Sequence, residues 1–443
     1  MIELAPVLER VPEYREFLTL DELRASARAL VQDFPGLARL ETVGSSAEGR
    51  PIELLTIGHG RTPALLVGVP HPNEPIGTLT IDFLCRRLCE DATLRDRLDV
   101  TLYAITVADP DGLRLNEGWF KGGFSPLKYA LNFYRPPHRE QVEWSFPVDY
   151  RTLHFSTPTP EAAAVMRVME RVRPRFFYGL HNAGFCGVYF YVSRARPEIY
   201  GPLHALVASQ GLPLHRGEPE VPYLRELAPA VYELFGIDDT YEYLARTLGE
   251  DPAPLIAAGT SSDDWLRHVC DAFSLVCELP YYTSPTLDDT TPTTRSRRAF
   301  VLEGLGRAES LHAESAIAFA TIAADVPEHR LTRSVRDYLE KTPKRIAAER
   351  AQAETDGYAR LATRAEALDA TTCTAFHHTL YLGEVQRLAG MVGADGLAAE
   401  LHDRLAILGD EIAGESELRT LPIRPLVSVQ AGAALLALAA GVP

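Results

Sequence analysis

The chain has 443 residues, 46% of them hydrophobic, and a formal net charge of −16. That length accommodates a core domain of about 300 residues and a second unit, and the apolar share is that of an ordinary globular protein. The acidic balance argues against nucleic acid or an anionic membrane as the main partner, because phosphate contacts need clustered Lys and Arg.

The opening Met1-Ile2-Glu3-Leu4-Ala5-Pro6 carries neither a basic n-region nor a long apolar h-region, so no secretory signal is expected. The apolar run Ala64-Leu65-Leu66-Val67-Gly68-Val69 reads as a buried strand that ends at His71-Pro72-Asn73-Glu74. Imidazole nitrogen and carboxylate oxygen are two ligands that suit Zn²⁺, and a catalytic zinc needs one more protein ligand and an open position. Cys85 and Cys89 fall four apart on an expected helix and read as core residues. A second strand-like run, Phe176-Phe177-Tyr178-Gly179-Leu180, ends at His181, the candidate third ligand. A third, residues 273–280, carries one carboxylate, Glu278, near its end. A charged group in an apolar strand costs free energy unless it is paired or functional. Desolvation also raises its pKa, as suits a general base working near neutrality. In open α/β sheets such sites gather beyond the carboxyl ends of the strands.

Residues 283–294, rich in Thr, Pro and Asp, read as a linker or lid loop. From about Arg297 onward, Ala, Leu, Glu and Arg recur at helical spacing, as over residues 348–368 and 375–388. His377-His378 lies in this part without an evident third ligand and is not taken as a metal site. Residues 426–442 are apolar but interrupted by Ser428, Gln430 and Gly432, which predicts a packed terminal helix rather than a membrane span. The six cysteines form no recognisable framework and read as reduced thiols of a cytoplasmic protein.

Taken together these landmarks resemble the zinc carboxypeptidases of the carboxypeptidase A type, over about residues 15–290. Residues 23–40, followed by Val43-Gly44-Ser45-Ser46-Ala47-Glu48-Gly49-Arg50, resemble that family's opening helix and "G-S-x-x-G-R" hairpin. Asp109-Pro110-Asp111-Gly112 resembles its "N-P-D-G", and Pro160-Glu161 opens a helix leading to Pro174 and His181. Gly259-Thr260-Ser261-Ser262-Asp263-Asp264-Trp265 precedes Glu278 as "G-G-S-x-D-W" precedes the family's catalytic glutamate.

The resemblance implies an α/β fold over residues 1–292, with a mixed, mostly parallel sheet flanked by helices, and a helical extension over 293–443. It implies one Zn²⁺ per chain held by His71, Glu74 and His181, with Glu278 as the base. Asp111 or a nearby carboxylate would orient a ligand histidine. Leu131-Asn132 sits where the family has "D-x-N-R", but Phe133 stands in the arginine's place and Arg135 follows two residues later. Asn132 and Arg135 are therefore the candidates for binding a substrate carboxylate. The cation that polarises the scissile carbonyl usually follows a Trp; here Trp119-Phe120-Lys121 leaves Lys121, with Arg114 and Arg135 as further candidates. The family's mobile tyrosine is replaced by Ile256, with Tyr241 or Tyr243 as substitutes, and Asp263 could favour basic side chains. The implied reaction is release of a C-terminal amino acid from a peptide. The alternative is deacylation of N-acyl amino acids on the same fold, whose enzymes use an "H-x-N-E" element that His71-Pro72-Asn73-Glu74 also resembles. A non-catalytic binding module is the third reading, and the sequence leaves the oligomeric state open.

Overall fold

The computed structural model describes residues 3–441; the ends of the opening and closing stretches, Met1-Ile2 and Val442-Pro443, lie outside the described residues. One nine-stranded sheet organises the chain. Its strands are β1 (Ala38–Ser45), β2 (Pro51–Ile57), β3 (Thr62–Gly68), β4 (Val100–Ile105), β5 (Phe176–Asn182), β6 (Tyr189–Val192), β7 (Glu226–Ala228), β8 (Val231–Glu233) and β9 (Phe273–Leu279). Their spatial order is β1-β2-β4-β3-β5-β9-β6-β8-β7. The central strands β4, β3, β5 and β9 are parallel, while β2 and the β6–β8 pair run against them.

The continuous apolar runs of the central strands follow from this position, because both faces of the sheet are covered. Successive side chains point to opposite faces. Ala64 and Leu66 of β3 join one core with Phe176, Tyr178 and Leu180 of β5, while Leu65, Val67 and Phe177 join another. Helices α1 (Leu20–Asp33) and α2 (Ile76–Glu90) contribute to the first core, and α3 (Pro160–Val172) fills the second. The capping box of Thr19 and Glu22 starts α1, and Pro35-Gly36 ends the helical pattern before β1, short of residue 40. Thr159 accepts the Ala162 amide and caps α3, with Pro160 in the first turn where its missing N–H costs nothing.

Past residue 296 the chain is mainly helical, with α4 (Arg297–Ile322), α5 (Arg330–Ala353), α6 (Thr374–Met391) and α7 (Ile423–Ala439). The helix expected across residues 348–368 is interrupted. The α5 helix stops at Ala353, Asp356–Tyr358 forms a tight turn, and Thr363 caps a new short helix at Arg364. Residues 283–294 are not a free lid. Tyr282–Thr283 pairs with Arg419–Thr420, and Pro292–Ser296 pairs with Leu361–Thr363, so both ends are tied to the helical part.

The two parts share one core. Leu79 of α2, Leu180 of β5 and Leu426 and Val429 of α7 belong to the same buried cluster. Buried Gln430 of α7 fastens this joint: its amide donates to the carbonyls of His181 at 3.1 Å and Cys277 at 3.5 Å, and its oxygen accepts from Thr80. Among the described residues no helix is long and apolar enough to cross a membrane, and all six cysteines are unpaired.

Candidate active site

The carboxyl ends of β3, β5 and β9 lie side by side, with Gly68 opposite Leu180 and His181 opposite Glu278. Beyond β3 the chain turns through Val69, a fully buried residue at φ 55°. A β-branched residue in the left-handed region is strained, and such strain collects where surrounding structure overdetermines a functional loop. Helix α2 then begins close against β5, since a Cβ at Gly77 would lie 2.6 Å from that of Leu180. The loop between them carries His71, Asn73 and Glu74. Tyr281 donates to the Asn73 carbonyl at 2.8 Å, and the Asn73 amide donates to Tyr129 at 3.3 Å.

Glu74 is the hub. Its Oε1 lies 3.0 Å from His71 Nδ1 and its Oε2 3.0 Å from His181 Nδ1, while the Asn182 amide donates to Oε2 at 3.2 Å. One ligand atom from each of His71, Glu74 and His181 lies within 4.8 Å of the others, and all three residues are buried. Two imidazole nitrogens and one carboxylate, with room for a further ligand, are the donor set of a catalytic zinc site, so these residues fit the metal. The two histidines are unlike. Burial, reinforced by the charge of Arg135, pushes His71 down to about 3. Burial also works against charge on His181, but the hydrogen bond and charge of Glu74 outweigh it and hold that imidazole at about 9.

Glu278 sits one strand over, half-buried at the cavity wall. Burial lifts its carboxyl well above the usual range, and the charges of Glu74 and Glu220 add to this against the opposing pull of His181. Behind His181 lies Glu143, 3.9 Å from Nε2, its carboxylate fixed by the Ser262 amide and hydroxyl. A carboxylate on the far nitrogen of a ligand imidazole sets its orientation and basicity. Sequence reading missed Glu143, which lies in a single 3-10 turn, Val142–Trp144, with no motif around it. Asp111, named for that role, instead accepts from Ser46, Arg50 and Arg330, away from both histidines.

A cavity of about 790 Å³ opens over these groups. Of the cations named from sequence, it contains Arg135, whose Nη1 donates to Glu74 at 2.9 Å. The Arg135 backbone is clamped from the helical part: Glu384 accepts its N–H at 3.2 Å, and Ser334 donates to its carbonyl at 2.7 Å. The other candidates lie outside the cavity. Arg114 pairs with Asp21 and Glu117, and Lys121 with Glu22, because both occupy a surface facing α1. Asn132 turns its amide back to the Lys128 carbonyl at the end of its own helix. Asp263 is 4% exposed and buried against β9, outside the lining. Tyr243 and Ile256 line the cavity, while Tyr241 packs on Tyr150 and does not. Nothing in the residue pattern pointed to the helical part as a wall of the cavity. Tyr338, Lys341, Arg345, Phe376, His377 and Tyr381 all face it, and His378 bonds Tyr338 at 2.9 Å instead.

Residues 23–280, more than half of the chain, match the family described as zinc carboxypeptidase. A carboxypeptidase B from Astacus astacus is 30% identical over 105 residues, 23% of this chain and 35% of that protein, so the chain spans about a third of this relative's length. Among solved structures, a putative metallopeptidase from Shewanella amazonensis SB2B aligns at a TM-score of 0.40 with 14% identity, over 59% of this chain and 84% of that one. A carboxypeptidase A from Helicoverpa armigera aligns at 0.39 with 16% identity, over 63% and 69%. With His71, Glu74, His181 and Glu278 all inside the matched segment, the chain belongs to the zinc carboxypeptidase family.

Proposed function

We propose that this protein is a zinc-dependent hydrolase that releases the C-terminal amino acid from short peptides. The observation that carries this reading is the register of β5 and β9, which sets Glu278 beside His181 at the wall of the cavity holding the ligand triad. His71, Glu74 and His181 would hold one zinc ion per chain. A zinc ion there supplies a Lewis-acid charge that acidifies water and polarises a carbonyl. Glu278 accepts the proton of the attacking water and returns it to the leaving amine from its place beside His181. Arg135, the guanidinium beside Glu74, answers negative charge on the substrate, where its planar fork can pair two oxygens. Glu143, 3.9 Å from the other ring nitrogen of His181, acts on that imidazole through its charge.

The cavity volume falls in the range of small-molecule sites and suits a short peptide rather than the end of a folded protein. The unpaired cysteines support a reducing compartment and a cytoplasmic location. A second reading, deacylation of N-acyl amino acids, is favoured by one observation: Phe133 stands where the family's motif carries its carboxylate-binding arginine. A panel of free-acid peptides, the same peptides amidated, and N-acyl amino acids, assayed with and without chelator, separates the readings. Chelator-sensitive cleavage of free-acid peptides is expected. Turnover of N-acyl amino acids alone would establish the second reading, and a zinc-loaded protein inert on the whole panel would leave a binding module.

A further inference from the structure

Two carboxylates two residues apart in the cavity wall are treated very differently. Glu218 is paired with Arg297 of α4, whose Nε donates to it at 2.6 Å. Glu220 has no cation partner among the described residues. Its carboxylate accepts from the Tyr191 hydroxyl at 2.6 Å and the Tyr189 hydroxyl at 3.4 Å, and it is open to the cavity. Two neutral donors fix its direction without cancelling its charge.

The surroundings share this character. Tyr189, Tyr191, Tyr223 and Phe235 line the cavity around Glu220, with ring centroids 5.7 Å apart for Tyr189 and Tyr191 and 5.6 Å for Tyr223 and Phe235. Aromatic faces beside a carboxylate attract a cation and shed its water at low cost. The position is also tied to the chemistry. Tyr189 is the register partner of Glu278 and Tyr191 that of Val276, so the two hydroxyls that hold Glu220 rise from the strand next to the base. Facing side chains on paired strands stand about 5 Å apart, and the charge of Glu220 is felt at Glu278. A cationic group seated here lies in the same cavity as Glu278, on the side of the strand that pairs with it. Loop 217–225, which carries Glu220, is anchored independently. Asp369 accepts the Glu218 amide at 2.9 Å, and the Glu218 carbonyl contacts His215 Nε2 at 2.7 Å.

We propose that Glu220, with the rings of Tyr189, Tyr191, Tyr223 and Phe235, forms a subsite for a cationic group of the substrate, which makes basic or free-amino peptides its preferred class. This rests on the reading of the cavity as the substrate site. Two sources supply the same ammonium or guanidinium chemistry: a Lys or Arg side chain, or the free α-amino group of a short peptide. The test uses zinc-loaded full-length protein and the Glu220→Gln variant, which preserves shape and both tyrosine hydrogen bonds.

Peptides ending in Lys, Arg or Leu are compared, each with a free and an acetylated N-terminus. The ratio of kcat/KM for a cationic peptide over its neutral counterpart should fall about 10- to 100-fold in the variant, as expected for loss of one charge-assisted contact, with the change carried by KM. A fall that follows Lys or Arg assigns the side chain, and one that follows acetylation assigns the α-amino group. An unchanged ratio for both overturns the subsite. If the wild type cleaves no peptide, the hydrolase reading fails on its own, and calorimetry with agmatine and with lysinamide still decides the subsite. Binding of either amine that weakens at least tenfold in the variant supports it, and absent or equal binding in both proteins overturns it.

Discussion

The strand edge and the helical part build opposite sides of one cavity in opposite ways. On the strand side, three parallel strands each deliver one chemical group or pair of groups to a common edge: His71 and Glu74 after β3, His181 in β5, Glu278 in β9. On the helical side the groups meet by packing rather than by a shared register, as where the rings of Tyr338 and Tyr381 stack at 4.0 Å. Tyr338, Arg345, His377 and Tyr381 come from separate turns of α5 and α6, and Glu384 and Ser334 act on the site only by holding the Arg135 backbone. Reactive groups need fixed mutual geometry, which a sheet register supplies. A cavity wall needs only surface of the right shape, which scattered residues on packed helices supply.

The largest effect should come from breaking the strand side. His71→Ala is expected to carry almost no zinc, against about one ion per chain in the wild type by elemental analysis, with turnover lost alongside. Full retention of zinc in that variant would remove His71 from the ligand set. Next is the contrast between cations. Arg135→Ala should lower kcat/KM about 10²- to 10³-fold, the usual cost of removing one donor to developing charge. Arg114→Ala and Lys121→Ala, which remove half-buried ion pairs outside the cavity, should stay near wild type in kcat/KM. A comparable loss in Lys121→Ala would place the substrate elsewhere.

The joint between the parts is tested by Gln430→Ala. Removing that amide strands the His181 carbonyl and the Thr80 hydroxyl in the core, and should cost roughly 1–3 kcal/mol of stability in denaturant melts. A neutral result would mean that α7 does not hold the strand ends in place.

The smallest effect concerns pH. Burial lifts the Glu384 carboxyl from the ordinary 4.5 to about 8. The folded state therefore binds a proton that the unfolded state releases, and stability falls as pH rises from about 4.5 to about 8. Glu384→Gln removes this contribution, so its stability profile should be flatter over that window. An unchanged slope would mean that Glu384 is ionised in the fold.

These contrasts explain what could be read from sequence. The candidate ligands His71, Glu74 and His181 and the candidate base Glu278 stood out in the sequence because each lies at or just past the end of a continuous apolar run, and the structure brings all four to one cavity. The mixed sheet was implied by the resemblance to the zinc carboxypeptidases, while the packed terminal helix followed from its interrupted apolar run. Glu143 and Glu220 were illegible because one lies in a single 3-10 turn and the other in a loop, and what marks them is a neighbour distant in the chain: His181 for one, Tyr189 and Tyr191 for the other. Arg114, Lys121, Asn132 and Asp263 were singled out by their place relative to a motif, but such a place does not specify direction, and each is engaged outside the cavity: Arg114 and Lys121 with acids of α1, Asn132 with the Lys128 carbonyl, Asp263 with Ser274 of β9. The wall built by α5 and α6 left no trace in the pattern, since cavity-facing and core-facing residues share the same helical spacing.

Whether the strand edge carries the chemistry is decided by measuring turnover, zinc content and thermal stability of Glu278→Gln on the same preparation. Glu278 has no direct ion-pair partner among the described residues, and the amide matches its shape, so folding and zinc should remain near wild type. Turnover should fall at least about 10²- to 10⁴-fold, the contribution of a positioned proton transfer. A destabilised protein with near-normal turnover per folded molecule would contradict the account and leave Glu278 a structural carboxylate.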